Sequence, residues 1–106
     1  QVQKKQIPRR QIQFCLEGVQ GTGRQLTVDI AGSIIVGRSG NCDVSIEDTR
    51  MSRQHFAITD RNGMFTIEDL HTTNGTWVNG RKISAPSPLS PGDRIQAGDM
   101  AMTVRW

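Results

Sequence analysis

Aromatic side chains are scarce in this sequence, which has three phenylalanines, two tryptophans and no tyrosine. Branched aliphatics must therefore fill any core. A nucleic-acid surface built from stacking aromatics among basic residues lacks its parts. Cysteine is nearly absent as well. Cys15 and Cys42 lie far apart with no C-x-x-C spacing, which leaves nothing for zinc ligation or dithiol redox chemistry. They read as two free thiols, with a single bridge as the alternative, and His55 and His71 have no metal-ligand company. No apolar run approaches the roughly 20 residues of a helical membrane span, and no signal-peptide core is present. No stretch follows the helical period of 3.6, and there is no internal repeat or low-complexity tract.

What is present fits one small domain. A chain of 106 residues has room for a single core, and at this size roughly 60–70% of the unfolded surface is buried on folding, enough without metals or disulfides. The net charge of +3 favours an anionic partner. Lys4, Lys5, Arg9 and Arg10 crowd the first ten residues, and the remainder is close to neutral. Residues 1–10, with Pro8 near their end, read as a basic flexible linker or tail, and residues 11–106 as the domain. A juxtamembrane basic segment is the alternative reading of that tail. Gln1 is an implausible native start, so the chain is expected to be a piece of something longer.

Period-two alternation dominates the domain. Ile12, Phe14 and Leu16 share one strand face, with Gln11, Gln13 and Cys15 on the other. Leu26, Val28 and Ile30 repeat the pattern after a Gly18–Gly23 turn. Ile34, Ile35 and Val36 form a short apolar run, expected to be buried on both sides. Val44 with Ile46, Phe56 with Ile58, and Phe65 with Ile67 continue the series. Asn62-Gly63 and Asn79-Gly80 are two-residue hairpin turns, because both positions need positive φ. A loop holding Pro86, Pro88 and Pro91 precedes strands around Ile95 and from Met100 to Trp106. Many short strands at regular spacing predict an all-β sandwich or barrel.

Three motifs invite chemistry that the surrounding residues do not support. Gly18-Val19-Gln20-Gly21-Thr22-Gly23 lacks the GK[ST] ending of a phosphate loop and opens a strand, so no helix N-terminus stands ready to hold phosphate. Ser52 and His55, with Asp43, Asp48 or Asp60, have neither a nucleophile elbow nor an oxyanion hole, so no catalytic residues are assigned and no enzyme is expected. Asn74-Gly75-Thr76 matches a glycosylation sequon, but that tripeptide is common by chance and also reads as turn chemistry, so no glycosylation is expected.

A different constellation is stronger than its parts. Gly37-Arg38 ends the third strand, Ser52-Arg53-Gln54-His55 lies at a loop-to-strand junction, and the run from Asp69 to Gly80 follows the sixth strand. Strand-to-loop junctions are the usual place for binding residues on a β-scaffold. If these loops share one end, two arginines converge with several hydroxyl and amide groups. A phosphate dianion needs that combination, with charge-assisted bonds from Arg and neutral donors for its remaining oxygens.

In order and spacing, the GR, SRxH, NGTxVNG and LxxGDxIxxG segments resemble the forkhead-associated (FHA) domain family, from about Gln11 to Arg105. The resemblance implies a β-sandwich of about eleven mostly antiparallel strands, with a phosphothreonine-peptide site on the loops at one end. It implies that Arg38 contacts phosphate and the bound backbone, and that Ser52 and Arg53 grip phosphate oxygens. Thr73 would line the phosphothreonine pocket, and Asn74 would hold the peptide main chain. Gly37, His55 and Gly75 would support the site, His55 by bracing the loop that presents Ser52. Thr72 stands where the family often has Ser, and Met100 and Met102 where it often has aromatics. Residue preference beyond the phosphothreonine would depend on variable positions such as His71, Asn79 and Arg81. The implied partner is a threonine-phosphorylated protein or peptide, with no cofactor, metal or nucleic acid, on the cytoplasmic side as part of a larger protein. The alternative is a scaffold of the same fold that binds an unphosphorylated partner through a sheet face.

Overall fold

A computed structural model describes residues 9–17 and 23–106. The first eight residues and most of the Gly18–Gly23 turn lie outside the described residues. Eleven strands and no helix are found among those described. One sheet contains β1 (Arg9–Glu17), β2 (Arg24–Ala31), β7 (Thr76–Val78), β8 (Arg81–Lys82), β10 (Arg94–Ala97) and β11 (Met100–Arg105), in the order β2-β1-β11-β10-β7-β8. The other contains β3 (Ser33–Gly37), β4 (Val44–Ser45), β5 (Phe56–Arg61), β6 (Met64–Asp69) and β9 (Ser87–Pro88), in the order β4-β3-β5-β6-β9. All pairings are antiparallel except β3 with β4.

The period-two faces meet between the sheets. Ile12, Phe14, Leu16 and Ile30 from one sheet pack with Ile34, Val36, Phe56, Ile58, Phe65 and Ile67 from the other in a single core. Met100 and Met102 are buried in the same core, where their flexible thioethers fill irregular gaps. Asn62 and Gly63 have φ of 57° and 89°, and Asn79 and Gly80 have 51° and 81°, so both Asn-Gly pairs form the tight turns their sequence demands.

Three readings need correction. β1 starts at Arg9, so the domain boundary falls before residue 10: Arg9 pairs with Ala31 and Arg10 with Ile30. Ile35 is half-buried rather than covered on both sides, and its amide donates to Asp43 Oδ2 at 2.8 Å. Within the proline-containing loop, Ser87–Pro88 forms β9 at the sheet edge, where the missing N–H of Pro88 breaks no central ladder.

The chain direction places the loops. β3 delivers Arg38 to one end of the sandwich, β5 leaves that end after His55, and β6 returns to it before His71. The Asn62-Gly63 turn and Gly32 therefore lie at the opposite end.

Candidate functional site

Gly37 allows two segments to touch at the end of β3. A Cβ at this position would collide with the Arg53 carbonyl group and lie 2.9 Å from Gln54 Cα. With that space open, Arg38 N donates to Ser52 O at 3.0 Å and Ser39 N to Arg53 O at 3.1 Å. The Cys42 thiol also donates to Arg53 O, at 3.0 Å. Burial pushes this thiol above its ordinary pKa, against the opposing effect of a Ser39 backbone hydrogen bond, so it stays protonated as a donor. The backbone beneath Arg53 is thus pinned from three directions while its side chain faces solvent.

His55 ties this region to the next loop. Its ring is fully buried, Nδ1 accepts from Ser52 N–H at 3.0 Å, and Nε2 lies 2.8 Å from Gly75 O. An acceptor at Nδ1 and a carbonyl at Nε2 require the neutral tautomer protonated on Nε2. One imidazole therefore joins the loop carrying Ser52 to the loop carrying Thr73 and Asn74. The expected bracing of the Ser52 loop is present, and the same ring also fixes the second loop.

The second loop is organised from below by Asp69. Its Oδ1 accepts from the hydroxyls of Thr72 at 2.6 Å and Thr76 at 2.7 Å, and its Oδ2 from Thr72 N–H at 3.1 Å. Burial opposes its ionisation, but these hydrogen bonds outweigh burial and hold the carboxyl below the usual aspartate range. The Thr72 hydroxyl passes the support on by accepting from Gly75 N–H at 2.9 Å. Any hydroxyl at position 72 could do this, so Thr in place of Ser leaves the arrangement intact. Gly75 has a φ of 83°, a conformation suited to glycine.

The predicted site residues come together at this end. Asn74 Nδ2 donates to Arg50 O at 3.0 Å, joining its loop to the segment before Ser52. Arg38 is exposed, and its Nε donates to Met51 O at 3.2 Å, which orients the guanidinium and leaves the terminal amino groups free of that bond. Arg53, Thr73 and Asn74 are exposed and Ser52 is half-buried. Neither Arg38 nor Arg53 has a carboxylate partner among the described residues, whereas Arg50 Nε lies 3.5 Å from Asp99 Oδ2. The arrangement presents two cations, hydroxyls and an amide on one open surface. No cluster of potential metal ligands occurs among the described residues.

Two contributors escaped the sequence reading. Asp48, weighed there only as a triad member, is buried and accepts from Arg50 N–H at 2.9 Å and Asp99 N–H at 2.7 Å. It shapes the Arg50–Ser52 segment and ties it to the turn between β10 and β11. The contact to Arg50, two residues on, is an Asx-turn, a local signal that could have been read. Asp69 lies three residues before Thr72 and was similarly legible. Asn79, expected at a variable recognition position, is tied to the segment entering β10: Nδ2 donates to Asp93 Oδ1 and Oδ1 accepts from Arg94 N–H, both at 2.9 Å.

Comparison with known proteins agrees with this architecture. The FHA domain family profile matches residues 34–98. FHA domain-containing protein FhaA of Mycobacterium tuberculosis is 34% identical over 85 residues, which cover 80% of this chain and 16% of that protein. The chain thus spans only a small part of that relative's length. A structure from a structural and functional analysis of phosphothreonine-dependent FHA domain interactions superposes with a TM-score of 0.80 at 31% identity, covering 92% of this chain and 97% of that one. The FhaA FHA domain, solved in complex with the intracellular domain of Rv3910, superposes with a TM-score of 0.78 at 32% identity, covering 89% of this chain and 99% of that one. Profile, sequence and fold coincide over the same two-sheet sandwich, and this chain belongs to the FHA domain family.

Proposed function

We propose that this chain is a non-catalytic interaction module that binds a phosphorylated threonine in a partner protein. The observation that carries the reading is the meeting of Arg38, Ser52, Arg53, Thr73 and Asn74 at one end of the sandwich, with both arginines lacking a carboxylate partner among the described residues. In this reading the terminal amino groups of Arg38 and the guanidinium of Arg53 bind phosphate oxygens. The Ser52 hydroxyl supplies a neutral donor, and Thr73 lines the side-chain pocket. Asn74, its amide nitrogen held by Arg50 O, offers Oδ1 to a main-chain N–H of the peptide. Gly37, His55 and Gly75 hold these groups in place. The module works within a longer, cytoplasm-facing polypeptide, and its partner is a threonine-phosphorylated protein or peptide.

A phosphate monoester carries about −1.5 to −2 charge at pH 7 and three strong acceptor oxygens, more than a carboxylate can offer these donors. One peptide set synthesised with Thr, phosphothreonine, phosphoserine and Glu at the central position tests the reading by fluorescence anisotropy. Phosphothreonine binds best, phosphoserine more weakly, and Thr and Glu do not bind. Arg38→Ala lowers affinity at least about tenfold, since a hydrogen bond to a charged group contributes about 1.5–3 kcal/mol. Equal binding of the Thr and phosphothreonine versions would overturn the reading and move the function to a sheet face. Full affinity in Arg38→Ala would overturn the site.

A further inference from the structure

Lys82 stands on β8 directly opposite Trp77, on the outward face of its sheet. Its side chain does not simply extend into water. A Cβ added to Gly75 would lie 2.6 Å from Lys82 Cε and 3.4 Å from Nζ, so the stem and ammonium run along Gly75, the residue next to Asn74. Gly75 is itself immobilised by Thr72 through its N–H and by His55 through its carbonyl. The ammonium therefore lies beside the loop that carries Thr73 and Asn74.

No carboxylate neutralises Lys82 among the described residues. The acidic groups of the loop end are turned to other donors: Asp69 to Thr72 and Thr76, Asp48 to the Arg50 and Asp99 amides, and Asp99 to the Arg50 side chain. An unpaired cation laid along a binding loop, separate from the Arg38 and Arg53 pair, offers a second point of anion recognition. An extended peptide advances about 3.3 Å per residue, so an ammonium one residue from Asn74 is within reach of side chains close to the phosphothreonine.

We propose that Lys82 is a specificity-determining residue that selects a second anionic group, a carboxylate or a further phosphoryl, at a position flanking the phosphothreonine of the bound peptide. The proposal rests on the phosphothreonine reading. Arg61, opposite Met64 across the Asn62-Gly63 turn, is exposed at the far end of the sandwich. It carries the same charge away from the loop and serves as the control.

The test is a phosphothreonine peptide with alanine at all flanking positions, in which each of three positions on either side is replaced in turn by Asp, phosphoserine or Lys. Affinities are measured for the wild type, Lys82→Met, Lys82→Glu, Arg61→Met and Arg38→Ala. The readout is the Asp-to-Ala affinity ratio at each position, which cancels any general change in binding. In the wild type one position favours Asp over Ala by about 2- to 5-fold, the range of a partly exposed ion pair, and favours phosphoserine more strongly. The ratio falls to one in Lys82→Met, inverts towards Lys in Lys82→Glu and persists in Arg61→Met. A ratio unchanged in Lys82→Met, or lost equally in Arg61→Met, overturns the proposal. So does a wild type that binds the all-alanine phosphopeptide through Arg38 with no acidic preference anywhere. Phosphate-independent binding, or binding indifferent to Arg38→Ala, would instead bring down the parent reading.

Discussion

At the end of the sandwich away from the loops, charge meets charge. Arg10 Nη1 donates to Asp60 Oδ2 at 2.6 Å, and the Asp60 side chain is only 3% exposed. Its other oxygen accepts from Gly63 N–H at 2.7 Å, fixing the Asn62-Gly63 turn. At the loop end the same residue types are arranged the other way round. Asp48 and Asp69 face inward to backbone amides and hydroxyls, while Arg38, Arg53 and Lys82 have no carboxylate partner among the described residues.

The difference separates stability from recognition. A carboxylate turned to backbone donors organises a loop without neutralising the arginines around it, which keeps their guanidinium groups available to an anion. The far end neutralises its arginine and gains a closed turn. On this view changes at the loop end alter binding and folding together, and changes at the far end alter folding alone.

The largest effect is expected for His55→Ala. It leaves the Ser52 N–H and the Gly75 carbonyl without their partner, each at about 1–3 kcal/mol, and it uncouples two binding loops. Chemical denaturation and phosphopeptide titration should both show a loss. A variant that melts and binds like wild type would break the comparison, because the loop end would not depend on its internal tie. Gly37→Ala comes next, at about 1–3 kcal/mol for overpacking. Its methyl group would push the Arg53 backbone aside, so affinity should fall in step with stability. Unchanged affinity would mean that the pinning of Arg53 does not matter to the ligand.

The contrast between the ends also explains what was readable in sequence. Strands such as Ile12 to Leu16 and Phe56 to Ile58, and the two Asn-Gly turns, follow from short-range rules and were placed correctly. β4 and β9 have two residues each, too few to show a period, and Pro88 made β9 look like loop. Arg10 looked like part of a charged tail because its partner lies 50 residues away. The meeting of Arg38, Ser52, Arg53, Thr73 and Asn74 was visible only through family resemblance, since no local rule joins three separate segments. The inward roles of Asp48 and Asp69 depend on loops folding over them, and their only local traces are the Asx-turn from Asp48 to Arg50 and the three-residue contact from Asp69 to Thr72.

At the far end, Asp60→Asn should cost about 1 kcal/mol, since it removes a charge-assisted bond to a partly exposed arginine but can keep the one to Gly63. Phosphopeptide affinity should not change. A drop in affinity larger than the fall in folded fraction would show that the ends are coupled, and the separation argued above would fail.

The smallest effect concerns acid. Asp69 is held below the ordinary aspartate pKa because hydrogen bonds from Thr72 and Thr76 outweigh its burial. The native state therefore takes up a proton at this group less readily than the unfolded chain, for which the value is about 3.9. The stabilisation is fully present above that pKa and is lost as pH falls through the lower, native value. Asp69→Asn should reduce stability at pH 7 while flattening the decline of stability below about pH 4. Urea unfolding at a series of pH values between 2.5 and 7 measures both. Because Asp69 also sets Thr72, which in turn holds Gly75, the variant should weaken phosphopeptide binding at pH 7, which Asp60→Asn should not. An acid limb parallel to that of the wild type would show that the hydrogen bonds do not favour the charged carboxylate, and the inward-facing role of Asp69 would be lost with it.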